Sequence, residues 1–316
     1  MKLRTEVQIP ISPFSISHQH KIISFGSCFS ENIGEKLHTH KFDIFNNPFG
    51  ILFNPISVCS AISECLENKT YQEDELNQHN ELYFSFNHHS KYAGNNKAEV
   101  VSRMNSAIRT GQDYLASSKV LIMTFGTAWV HRIKETNEIA ANCYKLPASH
   151  FKKELLSVQE IVAEVSSTLS KLKKANPSIQ IIATISPVRH WKDGVVENQQ
   201  SKGTLHLALK ELNEQFENLV YFPSYEILLD ELRDYRFYSS DMLHPSELAI
   251  DYIWEKFVDT FFNKETKALN KRISQLKKEK NHKPFNPESD EFIQFSQKLT
   301  EKENQMYKDF PYLMRD

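Results

Sequence analysis

A glycine, a serine and a cysteine follow one another where an apolar run near the start of the chain ends. The run Ile22–Phe25 precedes Gly26, Ser27 and Cys28, and helical periodicity begins at about Ser30. In an open parallel sheet, ligands bind beyond the carboxyl ends of the strands. The dipole of the following helix predicts a lowered pKa for the Cys28 thiol and a nucleophilic thiolate. The alternative is a small buried cysteine at a tight turn.

An aspartate and a histidine three residues apart lie in a loop after the last apolar run. Asp241 and His244 precede Pro245, which suits the first turn of a helix. At this spacing in a turn, the carboxylate can reach Nδ1 of the imidazole, which fixes the tautomer and leaves Nε2 as a base. We expect the pair on the same sheet edge as Cys28. The alternative is a helix cap by Asp241 and a solvated His244.

Glycine is scarce in this chain, with 8 glycines in 316 residues, whereas about 7% is usual. Gly50 follows the second apolar run and Gly126 the third, so with Gly26 three glycines are predicted at one edge of the sheet. A glycine N–H there can approach a ligand closely and donate to an oxyanion. The alternative for each glycine is an ordinary turn.

Five apolar runs predict the strands that position these residues. They do not alternate cleanly with polar residues, which is typical of parallel strands covered on both faces, and helical segments between them predict an α/β fold with right-handed crossovers. The predicted strands are Lys21–Phe25, Phe42–Phe45, Lys119–Phe125, Gln180–Ser186 and Leu219–Phe222. The predicted helices are Ser30–His40, Ile56–Leu66, Lys97–Ala116, Val158–Ala175, Ser201–Glu217 and Glu247–Phe262.

Three segments fall outside this alternation. We predict that Tyr71–Asn96 is a long loop or short hairpin and that Ala128–Phe151 is irregular; loops of this length are usually functional.

After Phe262 the chain becomes rich in lysine, with apolar residues at helical spacing in Lys264–Lys283. We therefore expect a domain over residues 1–262 and a charged helical extension over 263–316. We interpret this extension as a charged helix exposed to solvent or, alternatively, as a contact for an acidic partner.

Composition excludes several classes of protein. The net charge of -2 gives the chain no excess of positive charge for binding nucleic acid. No uninterrupted apolar stretch approaches the length of a membrane span. Cys28, Cys59, Cys65 and Cys143 form no C-x-x-C pair, so we expect no zinc site, no redox motif and no cofactor. No secretory signal is apparent at the start of the chain, and cytoplasmic residence is the expectation.

The order of these motifs resembles that of the SGNH (GDSL-like) hydrolases and, more narrowly, of the GSCFA family. Phe25–Ser30 resembles the signature of that family, with serine in place of its final alanine, and Asp241–Pro245 resembles its D-x-x-H-P segment. The resemblance covers roughly residues 20 to 262. The other matching segments are Asn47–Gly50, Thr124–Trp129, Ser186–His190, Ser201-Lys202, Tyr221–Glu226 and Glu231–Tyr238.

The resemblance implies a three-layer α/β/α sandwich with a five-stranded parallel sheet of flavodoxin-like order. It implies an esterase acting through an acyl-enzyme on an acyl ester, such as an O-acetyl group on a glycan or small molecule. Cys28 matches the nucleophile position, Asp241 and His244 match the acid and base, and the N–H groups of Cys28 and Gly50 match the oxyanion hole. The alternatives are an acyltransferase with the same centre and a ligand-binding module on a hydrolase fold. The oligomeric state is left open.

Departures from the family pattern affect the oxyanion hole and the nucleophile. Ala128 occupies the position of the oxyanion asparagine, so Thr127, Asn47 or Asn54 would have to substitute. Losing one such donor costs about a hundredfold in rate. The sequence also leaves Ser27 open as the nucleophile. Tyr144 replaces a histidine common in the family and is given no catalytic role.

Further residues are candidates for substrate binding. Arg189 and His190 follow the fourth predicted strand and could bind a carboxylate or hydroxyl, the alternative for arginine being an ion pair with Asp193. His88 and His89 are expected in a pocket wall, without a metal. Trp129 and Trp191 are expected at the rim or in the core. The complete set of substrate-binding candidates is Ser27, Asn47, Gly126, Thr127, His89, Arg189 and His190.

Overall fold

The computed structural model describes residues 5–282, 285–286 and 288–314. The strands are β1 (Lys21–Gly26), β2 (Asp43–Asn46), β3 (Asn77–His79), β4 (Leu82–Phe84), β5 (Val120–Phe125), β6 (Trp129–Ile133), β7 (Ile139–Ala140), β8 (Phe151–Leu155), β9 (Gln180–Ile185) and β10 (Leu219–Phe222). The helices are α1 (Cys28–Thr39), α2 (Pro55–Leu66), α3 (Lys97–Ser117), α4 (Val158–Ala175), α5 (Val195–Gln215), α6 (Ser224–Glu226), α7 (Glu247–Phe261), α8 (Lys264–Lys280) and α9 (Asp290–Asp309).

The centre of the fold is a five-stranded parallel sheet in the order β2-β1-β5-β9-β10. Alternate residues of each strand point to opposite faces, and both faces are apolar. Ile23 and Phe25 of β1 pack with helices α2 to α5 on one face. Ile22 packs with α1 and α7 on the other face. The predicted α/β class, the three layers and the flavodoxin-like strand order are therefore confirmed.

The helices match their predicted positions closely, with one exception. Helix α4 spans Val158–Ala175 as predicted, and α1 begins at Cys28, two residues before its predicted start. Helix α5 begins at Val195, six residues earlier than predicted, directly after Gly194. Gly194 has a φ of 105°, which glycine adopts without strain, so it ends the preceding turn and allows the helix to start early. No helix of the described ranges is both long and apolar enough to cross a membrane.

The two predicted irregular segments have different structures. Strands β3 and β4 form a short antiparallel hairpin, as one of the two alternatives predicted. The prediction for Ala128–Phe151 was wrong, because β6 pairs with β7 and β8 in a small antiparallel sheet. These strands are short, and the charged residues Arg132 of β6 and Lys152 and Lys153 of β8 interrupt their hydrophobic alternation.

The lysine-rich segment forms α8, which packs against α9 through its own apolar cluster. That cluster consists of Leu269, Ile273, Met306 and Leu313. Ion pairs join Lys280 to Glu303 at 2.6 Å and Lys302 to Glu279 at 3.0 Å. The start of α8 is joined to the main domain by the Thr266 hydroxyl, which donates to the Ile16 carbonyl at 3.2 Å. The predicted domain limits stay a prediction, and Lys283 of the predicted helix lies outside the described residues.

Gly26 and Gly203 provide a matched test of backbone packing. A Cβ on Gly26 would lie 2.3 Å from the Thr124 carbonyl oxygen, whereas a Cβ on Gly203 in α5 would meet nothing within 4 Å. We expect Gly26→Ala to lower the free energy of unfolding by at least about 2 kcal/mol. Gly203→Ala should raise it by about 0.5–1 kcal/mol, because alanine favours helix. Urea denaturation measures both. Equal effects of the two substitutions would contradict the close approach of β1 to β5.

Candidate active site

Hydrogen bonds fix the turn that follows β1. The Ser27 N–H donates to the Thr124 carbonyl near the end of β5 at 3.1 Å. The Gly26 N–H donates to Oδ1 of Asn47, which follows β2, at 2.9 Å. The turn is thus tied to both neighbouring strands. As a result, Cys28 becomes the first residue of α1 at the carboxyl edge of the sheet.

Cys28 is partly buried, and its thiol is free. Burial raises the pKa of this thiol, and the carboxylate of Glu31 acts in the same direction. The backbone N–H groups of Phe29 and Cys28 and the ammonium group of Lys202 oppose that rise. The predicted lowering of the pKa was therefore wrong in sign, because desolvation of the thiolate outweighs the N–H groups of the helix start. A thiol in this state needs a base before it can attack.

Ser27, the alternative nucleophile, is completely buried. Its backbone has the extended conformation of a helix N-cap, but its side chain makes no capping hydrogen bond. Its Oγ has no hydrogen-bond partner among the described protein atoms. Because a substrate can reach a partly exposed sulfur more readily than a buried hydroxyl, the geometry favours Cys28 over Ser27 as the nucleophile.

Asp241 and His244 form the predicted carboxylate–imidazole pair. Oδ2 of Asp241 lies 2.6 Å from Nδ1 of His244, and both side chains are about half exposed. Oδ1 of Asp241 accepts from the N–H groups of Leu243 and His244, each at 2.9 Å. These backbone bonds, together with the imidazole, lower the pKa of Asp241 to about 2. The carboxylate is therefore charged at neutral pH, and Nε2 of His244 is left to accept a proton.

In the described ranges, no hydrogen bond joins Cys28 Sγ to His244. The positive charge of His244 lowers the pKa of His190, so the His244 loop faces the segment after β9. Catalytic hydrogen bonds are often long in ligand-free structures and tighten when substrate binds. A direct contact of Cys28 with His244 therefore stays a prediction.

The N–H of Gly50, assigned above to the oxyanion hole, already donates within its own turn. It donates to the Asn47 carbonyl at 2.8 Å, and Gly50 has a φ of 77°. A Cβ at this position would lie 2.4 Å from Cβ of His89. Glycine is therefore required here by backbone conformation and close packing. Donation from Gly50 to a substrate would require its turn bond to open or to be shared.

The three candidates to replace the missing asparagine at Ala128 differ in what their side chains already bind. The Thr127 hydroxyl bonds to the Ser201 hydroxyl at 3.0 Å. The Asn54 side chain caps α2, its Oδ1 accepting from the Ser57 N–H and its Nδ2 donating to the Ser57 hydroxyl. Asn47 is buried, and its Nδ2 has no hydrogen-bond partner in the described structure. Of the three, Asn47 is the one whose amide nitrogen has no partner among the described residues.

Arg189 and His190 lie after β9, as predicted. Nε2 of His190 lies 3.2 Å from the point where a Cβ on Gly126 would be. Burial lowers the pKa of His190 to about 4, so its ring is neutral near pH 7. Nε of Arg189 and Nε2 of His190 have no hydrogen-bond partner among the described residues. Asp193 pairs instead with Lys153 at 2.7 Å, so the alternative ion pair with arginine is not formed.

The adjacent histidines of the β4–α3 segment have different surroundings. His88 is fully buried against the ring of Phe49, with 4.1 Å between ring centroids, and burial lowers its pKa to about 3. His89 is partly exposed beside Gly50, where it can form part of a pocket wall. The Tyr144 hydroxyl donates to the His88 carbonyl at 2.7 Å, a structural contact. Across the residues that the structure describes, no cluster of three or more potential metal ligands occurs.

Lys202 is the charged residue that the sequence analysis did not single out as a site residue. It is 1% exposed, and Nζ donates to the Gly126 carbonyl at 2.8 Å and to the Ser186 carbonyl at 2.6 Å. The signal that could have found it is its position on the buried face of α5, three residues before Leu205. A lysine on the buried face of a helix is rarely left without a polar partner.

Comparisons with known proteins identify the family. Residues 21–257 match the model of the GSCFA family, and residues 273–315 match that of the GSCFA domain protein, C-terminal domain. No curated protein matches this chain. The solved structure of an acetyl xylan esterase, Est2A, from the rumen bacterium Butyrivibrio proteoclasticus is similar, with 12% identity, a TM-score of 0.39, and coverage of 80% of this chain and 64% of that one. The chain thus spans less than two thirds of that protein, and a likeness this distant carries no argument about activity.

The lowered pKa of Asp241 predicts a pH dependence of stability. In the folded protein this pKa is about 2, below its ordinary value of 3.8. The charged carboxylate therefore stabilises the fold above about pH 4, and this contribution is lost as the pH falls towards about 2. We expect Asp241→Asn to lower the free energy of unfolding most above about pH 4 and progressively less towards about pH 2.

Urea denaturation between about pH 2 and pH 6 measures this difference. Met242→Ala is the matched control, since Met242 is an exposed neutral neighbour in the same loop. Its effect should be the same at every pH. A difference between wild type and Asp241→Asn that does not change with pH would show that the carboxylate charge does not stabilise this loop.

Proposed function

Because this chain belongs to the GSCFA family, we propose that it is an esterase in which Cys28 attacks an acyl ester and carries the acyl group as a thioester. The observation that carries this proposal is the preformed Asp241–His244 pair, bonded at 2.6 Å, together with the free thiol of Cys28 at the start of α1. Nucleophile, base and orienting carboxylate are the parts of an acyl-transfer centre. We place the protein in a reducing compartment such as the cytoplasm, because this thiol must stay reduced.

In the first step, Nε2 of His244 accepts the proton of the Cys28 thiol while the sulfur attacks the acyl carbon. This base is needed because burial raises the pKa of the thiol. A carbon–sulfur bond forms, and the carbonyl oxygen becomes an oxyanion. Asp241 keeps its negative charge, as its lowered pKa requires, and stabilises the imidazolium.

The second step releases the alcohol, and the third releases the acid. When the tetrahedral intermediate collapses, its carbon–oxygen bond breaks, and the leaving alkoxide takes the proton from His244. His244 then accepts a proton from water as the water oxygen attacks the thioester carbon. The expelled sulfur of Cys28 recovers that proton, and a carboxylic acid is released. With an alcohol in place of water, the same residues perform acyl transfer, so an acyltransferase is the alternative enzyme.

The oxyanion donors that we propose are N–H groups at the start of α1 and on Asn47. The backbone N–H groups of Cys28 and Phe29 lie close enough to the sulfur to lower its pKa, so they face the region where a substrate carbonyl would bind. Nδ2 of Asn47 has no hydrogen-bond partner within the described ranges, and we propose that it takes the place of the asparagine missing at Ala128. Each such donor contributes about a hundredfold or more in rate. Gly50 contributes when its turn bond opens.

The proposed substrate is an O-acyl ester of a small molecule or glycan. Trp191 is 54% exposed beside His190, and an exposed indole can stack on a sugar ring. Nε of Arg189 and Nε2 of His190, which have no partner in the part of the chain that the structure describes, can bind a hydroxyl or carboxylate of the substrate. The net charge of -2 argues against nucleic acid as a substrate.

A ligand-binding module without turnover is the second candidate function. Two observations favour it: Ala128 supplies no oxyanion side chain, and the Gly50 N–H is engaged in its turn. Such a module would bind an acylated ligand at the same edge of the sheet. It differs from an esterase in forming no covalent adduct at Cys28 with any activated ester.

Substitution of the two candidate nucleophiles tests the esterase proposal. Cys28→Ala should lower kcat/KM for p-nitrophenyl acetate by about a thousandfold or more, because no thioester can form. The neighbouring Ser27→Ala is the matched control and should keep its activity. His244→Ala should lower kcat by about 10²–10⁴. Mass spectrometry of the wild type should locate one acetyl group on Cys28.

Each other outcome points to a different conclusion. Full activity in Cys28→Ala with loss in Ser27→Ala would assign the nucleophile to Ser27. A folded wild type with neither turnover nor an adduct from any activated ester would favour the binding module. An adduct whose release is accelerated by an added alcohol would identify an acyltransferase.

A further inference from the structure

The turn Asn47–Gly50, which follows β2, has left-handed backbone at both ends. The φ angle is 48° at Asn47 and 77° at Gly50. Such backbone is uncommon outside glycine, although asparagine tolerates it better than most residues. Oδ1 of Asn47 accepts from the Gly26 N–H at 2.9 Å, and the Gly26 carbonyl accepts from the Leu52 N–H at 2.9 Å. The conformation of this turn therefore sets the direction of Nδ2 of Asn47 and is tied to the residue two places before Cys28.

The segment His88–Tyr92 contacts the middle of this turn at three points. The ring of His88, which is fully buried, stacks on that of Phe49 with 4.1 Å between their centroids. The N–H of His89 donates to the Phe49 carbonyl at 2.9 Å. The hydroxyl at the end of the segment donates to the carbonyl of Pro48. A displacement of His88 would therefore move the turn with it.

Tyr144 reaches the same segment from the loop that follows β7. Its hydroxyl donates to the His88 carbonyl at 2.7 Å, and its ring stacks on that of Phe84 with 3.9 Å between centroids. Its N–H donates to Oδ1 of Asn142 at 2.9 Å. The φ angle is 48° at Tyr144 and 58° at Lys145, so two successive residues with large side chains are left-handed. Strained backbone of this kind persists only where surrounding contacts hold it, and it clusters at functional sites.

We propose that Tyr144 is a positioning residue that holds the Asn47–Gly50 turn, and with it Nδ2 of Asn47, through His88. It acts through two contacts in series, from its hydroxyl to the His88 carbonyl and from the His88 ring to Phe49, and it touches no substrate. The inference rests on the proposed function, in which Asn47 is an oxyanion donor. A donor that is already oriented needs no reorganisation when charge develops. Loosening the turn should therefore slow the chemical step more than it weakens substrate binding.

A role in packing alone is the competing explanation, because the Tyr144 ring also fills space beside Phe84. Tyr144→Phe separates the two roles, since it removes the hydroxyl and keeps the ring. Tyr221→Phe is the matched control. The Tyr221 hydroxyl also donates to a protein oxygen, of Glu226 at 2.8 Å, but it belongs to β10, at the opposite edge of the five-stranded sheet from β2. Tyr92→Phe is the positive reference, since the Tyr92 hydroxyl donates directly to the turn.

The first measurement is hydrogen exchange of the Gly50 amide in the full chain, followed by NMR. This N–H donates to the Asn47 carbonyl at 2.8 Å, so its exchange reports opening of the turn. Tyr144→Phe should speed the exchange about two- to tenfold, as expected for the loss of one hydrogen bond. Tyr92→Phe should speed it at least as much. Tyr221→Phe should leave it unchanged.

The second measurement is the steady-state kinetics of p-nitrophenyl acetate hydrolysis. Tyr144→Phe should lower kcat by about two- to tenfold and leave KM nearly unchanged, because an oxyanion donor acts in the transition state. Tyr221→Phe should keep both constants. Asn142→Ala is a second variant in case Tyr144→Phe does not fold. It removes the acceptor of the Tyr144 N–H and should change both measurements in the same direction.

Three results would each overturn the proposal. They are an unchanged Gly50 exchange rate in folded Tyr144→Phe, an equal acceleration in Tyr221→Phe, and a loosened turn with unchanged kcat. Hydrogen exchange does not depend on ester hydrolysis. Faster exchange in Tyr144→Phe, in a wild type without turnover, would therefore support the hold of Tyr144 on the turn and count against the esterase alone.

Discussion

The close pairing of β1 with β5 at their carboxyl ends determines where the candidate groups lie. Gly26 pairs with Thr124 at a distance that leaves no room for a Cβ. The Ser27 N–H then donates to the Thr124 carbonyl, so the chain turns there and α1 begins at Cys28. The position of the thiol at a helix start is thus a consequence of strand contact. The bond from Gly26 to Asn47 extends the same constraint to the loop after β2.

Competition between burial and hydrogen bonding decides the charge of each group at this edge. Asp241 is about half exposed, so its backbone and imidazole bonds outweigh desolvation and lower its pKa. Cys28 is partly buried, and desolvation prevails over the helix N–H groups. His190 and Lys202 are more deeply buried and have lowered pKa values for the same reason. The exposed His244 loop is therefore the side towards which a proton can leave, while burial disfavours the charged forms of Cys28, His190 and Lys202.

The sequence allowed the sheet and the carboxylate–histidine pair to be predicted, because both depend on local pattern. Buried parallel strands are continuous apolar runs, and a D-x-x-H turn brings the carboxylate of Asp241 to Nδ1 of His244 by chain geometry alone. The small sheet around β6 was missed because charged residues interrupt the hydrophobic alternation of its short strands. The sign of the pKa shift of Cys28 depends on burial in the folded protein. The availability of the Gly50 N–H depends on one hydrogen bond within its turn. Residue spacing predicts neither of these.

The buried polar atoms without protein partners indicate what this edge of the sheet is suited to bind. Most buried polar groups in folded proteins are paired, and an unpaired one costs about 1–3 kcal/mol. The buried Asn176 is an example of a paired amide, since its Nδ2 donates to the carbonyls of Leu115 and Ser118. At the carboxyl edge, Nδ2 of Asn47 and Nε of Arg189 have no partner among the residues that the structure describes, and both are N–H donors. A surplus of donors favours a ligand rich in oxygen acceptors, and the carbonyl and ether oxygens of an ester are acceptors only. The same surplus disfavours a cationic or donor-rich ligand, whose charge would be added to that of Lys202.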